Sequence, residues 1–97
     1  MMGKADVMAL ISQAAQDYLK TIYKLLSGPN PVESVNISRV ADKMEVAAAS
    51  ATNMVKKLAE MKLVEHAPYQ DVVLTPTGEK IALEVIRHHR LLELYLS

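Results

Sequence analysis

The sequence predicts a mainly α protein with a small β-hairpin, an α+β class. Three observations carry that expectation. Apolar residues recur at steps of three and four from Met8 to Leu26. Two shorter helical stretches follow, joined by a tight connection. Two short strand-like runs, 62–66 and 72–74, then flank a proline-containing turn ahead of a last helix.

The first helix is expected over about 6–26 as an amphipathic one, its apolar residues including Met8, Ile11, Ala15, Tyr18, Leu19, Ile22, Tyr23, Leu25 and Leu26. Ser27-Gly28-Pro29-Asn30-Pro31 ends it, with Gly28 as a left-handed cap and two prolines barring continuation. Val32 to Asn36 is a connector with a short extended piece at Val35. Ser38 is the expected N-cap of a helix over Arg39 to Met44, because its hydroxyl can accept from a free backbone N–H. Glu45-Val46 is a turn. The next helix runs from about Ala48 to Met61 with Ala51, Met54, Val55, Leu58 and Met61 inward. Lys62 to His66 and Val72 to Leu74 form the hairpin around Ala67-Pro68-Tyr69-Gln70-Asp71. Thr75-Pro76 opens the last helix, Thr as N-cap and Pro at the first helical position. Two short helices followed by a two-stranded hairpin is the layout of a winged helix–turn–helix. Residues 1–75 are read as that domain, with the helix–turn–helix at about 38–61 and the wing at about 62–74. Residues 76–97 are read as a helix leading into a further domain.

Ninety-seven residues suffice for one domain and one modest core. At 51% hydrophobic and 23% charged the chain reads as globular. It has no Cys, which excludes a disulfide scaffold and thiol chemistry. No run approaches a membrane span, and Val7 to Ile11 is too short for a signal-peptide core, so a cytoplasmic location and no membrane partner are expected. Eleven basic residues against eleven acidic give zero net charge, unlike a strongly basic nucleic-acid binder. Between Ser38 and Leu63, however, five basic residues face three acidic ones.

The second helix of a helix–turn–helix enters the major groove. The outward side of Ala48 to Lys57 holds no acidic residue. Ser50, Thr52 and Asn53 offer hydrogen-bonding groups; Asn can pair bidentately with adenine. Lys56, Lys57 and Arg39 suit phosphates, although a Lys-Lys pair is also what an ordinary solvated face carries. Tyr69 at the hairpin tip suits a phosphate contact or plain packing. The last helix changes character at its end, where leucines occupy nearly every side between Leu91 and Leu96. Such an end is expected to pack against another subunit or a further domain. No nucleophile, Gly-rich phosphate loop or paired carboxylates indicate an enzyme.

The segments QDYLKTIYKL, from Gln16 to Leu25, ATNMVKKLAEMKLVEHAPY, from Ala51 to Tyr69, VVLTPTGEKIAL, from Val72 to Leu83, and RHHRLLELYL, from Arg87 to Leu96, resemble the diphtheria toxin repressor family. These are iron- and manganese-dependent transcription regulators. The resemblance runs from about Gln16 to the C-terminus and implies the N-terminal part of a longer protein. It implies a homodimer assembled through the last helix and a further domain, binding double-stranded operator DNA. It also implies Asp17, His89 and Glu93 as part of a Mn2+ or Fe2+ site. His89 and Glu93 are four apart and share a helix face; the same spacing also suits a plain surface pair. This chain departs from the manganese branch at Lys20, where that branch carries a Glu, and in Ala47-Ala48-Ala49, where the family often has Ser-Pro-Pro. With the remaining ligands on later helices, metal binding by these residues alone is expected to be weak or absent. The expected function is therefore the DNA-binding domain of a metal-dependent transcriptional repressor. The alternatives are a winged-helix protein-interaction module without DNA binding and a metal-independent winged-helix regulator.

Overall fold

A computed structural model describes residues 11–66 and 71–96, with the backbone alone for 92–96. In chain order the elements are α1 (Gln13–Ser27), β1 (Val35–Asn36), α2 (Ile37–Met44), α3 (Ala48–Glu60), β2 (Val64–His66), β3 (Asp71–Leu74) and α4 (Pro76–Leu96). The mainly α fold with a small sheet is the expected class. The part of the first helix expected before Ile11 lies outside the described residues.

Side-chain and backbone chemistry set the boundaries. Ser12 caps α1, its hydroxyl accepting from the Ala15 N–H at 3.1 Å. Gly28 follows α1 in extended backbone, φ −75° and ψ −164°, so the expected left-handed cap is not formed. The prolines after it and the Val32 N–H, which donates to Leu26 O, turn the chain instead. Asn36 caps α2: its Oδ1 accepts from the Arg39 N–H at 2.9 Å, and the helix begins one residue before Ser38, the expected cap. An amide oxygen is a strong N-cap acceptor, and it moves the boundary two residues upstream.

Left-handed residues end the two middle helices. Glu45 has φ 58°, and its N–H reaches back to Ala41 and Asp42 O. Lys62 has φ 61°, its N–H donates to Ala59 O, and the Leu63 N–H donates to Leu58 O. Lys62 thus closes α3 instead of opening the strand. Met61, expected inward, is 45% exposed because the helix has ended before it.

The sheet has three strands, not the expected two, in the order β1-β3-β2 and antiparallel throughout. Val35 pairs with Val72, and Val64 with Leu74. The extended piece anticipated at Val35 therefore becomes an edge strand, fastened also by the Ser34 hydroxyl donating to Asp71 Oδ2 at 3.1 Å. The hairpin tip lies outside the described residues.

Four helices and the sheet enclose one core among the described residues. Leu19 and Ile22 of α1, Val40 of α2, Ala51, Val55 and Leu58 of α3, Val72 of β3, and Ala82 and Val85 of α4 are all fully buried. Each large aliphatic side chain taken from water there contributes roughly 1.5–3 kcal/mol. No polar or charged residue is buried among the described residues.

The base of α4 is locked onto the end of α3. The Thr75 hydroxyl accepts from the Gly78 N–H at 3.0 Å and donates to Lys62 O at 2.8 Å. Pro76 occupies the first helical position, as expected. Gly78 packs so closely on the Leu63 backbone that an added Cβ would sit 1.8 Å from Leu63 O. The glycine is required by contact, not by its dihedral angles.

Candidate nucleic-acid interface and metal centre

Ala51, Val55 and Leu58 recur at steps of four and three, which turns one side of α3 into the core. The other side is left to solvent. Ala49, Ser50, Asn53, Lys56 and Lys57 are exposed there and Thr52 is half-buried. Arg39, exposed on α2, stands at the helix start that Asn36 caps. No carboxylate interrupts the surface from Val46 to Ala59. The face is therefore weakly positive, rich in small and hydrogen-bonding groups, and presented on a rigid helix.

The start of α3 has a property that its side chains do not reveal. Ala47 is its N-cap, and no side chain accepts from the first-turn N–H groups. Ala47 to Ser50 are all exposed. Those N–H groups and the positive helix end face solvent, an arrangement that receives anionic oxygens. The Ala-Ala-Ala run, which as side chains offers a DNA backbone nothing polar, thereby exposes its main chain.

Tyr69 lies outside the described residues. The side chain of Glu93 does as well, although its backbone belongs to α4.

α1 packs on α4, which brings Asp17 and His89 to the same Gln13 amide. The Gln13 amide Nε2 lies 3.4 Å from Asp17 Oδ1 and 3.4 Å from His89 Nε2. On the other side of the ring, the Lys20 ammonium lies 3.4 Å from His89 Nδ1. Neither Gln13 nor Lys20 is marked as a partner of His89 by sequence spacing, since each contact spans about seventy residues.

An oxygen and a nitrogen donor converging on the Gln13 side suit Mn2+ or Fe2+. The Lys20 side suits no cation. A neutral imidazole has one accepting nitrogen, and an ammonium only donates. His89 can ligate through Nε2 only with its proton on Nδ1, facing Lys20; ligation therefore requires Lys20 to swing away. Among the described residues no three His, Asp or Glu side chains converge as a complete ligand group. Asp17 and His89 fit as two members of a site on the Gln13 side.

A cleft of about 170 Å3 opens beside His89 at the same junction, lined by Lys20, Lys24, Ile86, His89 and Arg90. A second, of about 210 Å3, lies between the end of α1 and β3, lined by residues that include Tyr23, Val32, Glu33, Leu74 and Glu79.

Comparison with known proteins places these surfaces in context. Residues 10–72 match the model of the iron dependent repressor N-terminal DNA binding domain. The chain is 33% identical over 81 residues to the HTH-type transcriptional regulator MntR of Geobacillus thermodenitrificans, covering 84% of this chain and 55% of that protein. It is 30% identical over 87 residues to MntR of Bacillus pumilus, covering 90% of this chain and 58% of that protein. It spans a little over half the length of these curated relatives. Among solved structures, ScaR with bound Zn2+ superposes with a TM-score of 0.69 at 30% identity, over 84% of this chain and 36% of that one. A MarR family protein of Mycobacterium tuberculosis superposes with a TM-score of 0.73 at 13% identity, over 93% of this chain and 63% of that one, a likeness of fold alone.

Proposed function

This chain belongs to the iron-dependent repressor family, and on that premise we propose that it is the operator-binding part of a metal-dependent transcriptional repressor. The observation that carries the reading is the α3 face: exposed Ser50, Asn53, Lys56 and Lys57 beside an uncapped helix N-terminus, with no carboxylate among them. In the groove, Asn53 would pair with a base edge, with Ser50 and Thr52 beside it. Lys56, Lys57 and Arg39 would neutralise phosphates, and Tyr69 at the wing tip is the further candidate from sequence. The first-turn N–H groups of α3 would receive a phosphate oxygen.

The junction of α1 and α4 is the regulatory point in this reading. Asp17 and His89, joined by Glu93 from the next turn of α4, would hold Mn2+ or Fe2+ in the longer protein. A divalent ion supplies a strong, oriented bridge between oxygen and nitrogen donors. The residues themselves fix the angle between α1, which packs on α2 and β3, and α4, which leads away from the reading head. A homodimer needs that angle to place two recognition helices one DNA turn apart, and a cytoplasmic location goes with such a role.

The test is binding of the chain to a duplex selected from a random-sequence library, followed across salt concentrations by fluorescence anisotropy. Phosphate neutralisation by Arg39, Lys56 and Lys57 predicts a log–log slope of about −3 per protomer. Salt-independent binding, or no selected sequence, would remove DNA and leave a protein-interaction module.

A further inference from the structure

We propose that the cleft between the end of α1 and β3 is a binding site for a small organic cation, an ammonium or amidinium head on a short apolar stem. Its volume is about 210 Å3. A cavity of about 150 Å3 already holds benzene, so the space suits one ring or a short alkyl chain with a charged head. Tyr23 and Leu26 of α1, Val32 of the connector, and Val73 and Leu74 of β3 supply the apolar lining. Val32 is 40% exposed, so an apolar stem laid on it takes from water a surface that the fold itself leaves bare.

Apart from the Tyr23 hydroxyl, the polar side chains of the lining accept and do not donate. The Ser27 hydroxyl already donates to Tyr23 O at 2.6 Å, which leaves its oxygen lone pairs to accept. Glu33, from the connector, and Glu79, from the first turn of α4, bring exposed carboxylates from two different segments. No basic residue lines the cleft. Among the described residues neither Glu33 nor Glu79 forms an ion pair or a side-chain hydrogen bond. Glu79 has a local purpose, an acid facing the positive end of α4, but Glu33 follows no such rule. A cation bearing N–H groups matches this set, since each of its hydrogens needs an acceptor and the charges are opposite. The Tyr23 ring adds a face that attracts a cation.

The cleft exists because β1 is short. Its pairing with β3 covers only Val35 with Val72 and Asn36 with Asp71. Val73 and Leu74 therefore pair with β2 on one side and, among the described residues, with no strand on the other. The chain ahead of β1 is drawn toward α1 instead, where the Val32 N–H donates to Leu26 O at 3.2 Å. The end of α1, the connector, the edge of β3 and the start of α4 are left around one hollow. None of these residues lies on the α3 face or beside Asp17 and His89, so the cation requires neither DNA nor metal.

The test titrates the 97-residue chain with benzamidinium chloride and, separately, pentylammonium chloride, followed by heteronuclear NMR at fixed ionic strength. Benzyl alcohol and benzoate are the neutral and anionic counterparts. The expected result is saturable shifts centred on Leu26, Val32, Glu33, Val73 and Glu79 for at least one cation. Benzyl alcohol should bind about tenfold more weakly, as expected for the loss of two exposed charge pairs, and benzoate should not bind. Glu33→Gln and Glu79→Gln should each weaken cation binding by about threefold to fivefold. Both positions are exposed, so the fold should survive, and circular dichroism checks it. Glu60→Gln, at an exposed carboxylate on the end of α3, should leave binding unchanged. Benzyl alcohol binding as tightly as the cations, or both glutamine variants at the cleft binding like the parent chain, would overturn the cation site. So would non-saturating shifts spread over all acidic residues, or no response to either cation.

Discussion

Gly78 illustrates how one atom decides a fold. A methyl group at this position meets the Leu63 carbonyl, which is backbone and cannot rotate aside. Gly78→Ala should therefore destabilise by about 3 kcal/mol, the upper end for overpacking. Thermal denaturation should show a fall of roughly 15 °C, from the scaling of a domain this size. Glu45 predicts the opposite sign. It holds a left-handed conformation and puts a carboxylate at the negative end of α2. Glu45→Gly relieves both, against the entropy that glycine loses, and should stabilise by about 1 kcal/mol, a rise of roughly 5 °C. At this scale Thr75 and Pro76 were readable, since capping follows from local chemistry. Ser38 and Asn36 can both cap by local chemistry, and the structure uses Asn36. The choice depends on where β1 leaves the chain, and β1 exists only through its pairing with β3.

Among the elements, α3 buries one side in the core and leaves to solvent the side proposed to read DNA. Asn53→Ala should cost about 1–3 kcal/mol on the preferred duplex and relax the choice of one base, measured by competition with single-base variants. Lys56→Ala should weaken all sequences alike and reduce the salt slope by about 1, read from the same anisotropy titration. The two variants separate base reading from phosphate contact, and identical behaviour would argue against this face as the reader. The helix was legible from its apolar spacing and its outward polar residues. The reach of the N-terminal N–H groups was not, because Ala47 to Ala49 offer no side-chain signal. The α1–α4 junction was half legible. Family resemblance pointed to Asp17 and His89, but only packing puts Lys20 and Gln13 against the same ring.

As a whole the molecule is held by one contiguous core, to which each helix and the sheet contribute. Ile22 lies at its centre with no exposure. Ile22→Ala should cost about 2–5 kcal/mol, a large part of the stability of a 97-residue chain. Helix circular dichroism and DNA binding should then be lost together in one denaturant transition, because among the described residues the buried side chains form a single cluster. The zero net charge has a similar whole-molecule meaning. It arises from acidic residues placed outside Val46 to Ala59, so the total conceals a local excess of positive charge.

The clasp made by Thr75 and Gly78 ties the base of α4 to the residue that terminates α3. The 21 residues of α4 span about 30 Å. Swung about that clasp, the helix is a lever: a tilt of about 5° at the base carries the far end about 3 Å. Conversely, whatever grips the far end turns the base of α4, and with it the end of α3, through a small angle for a large displacement.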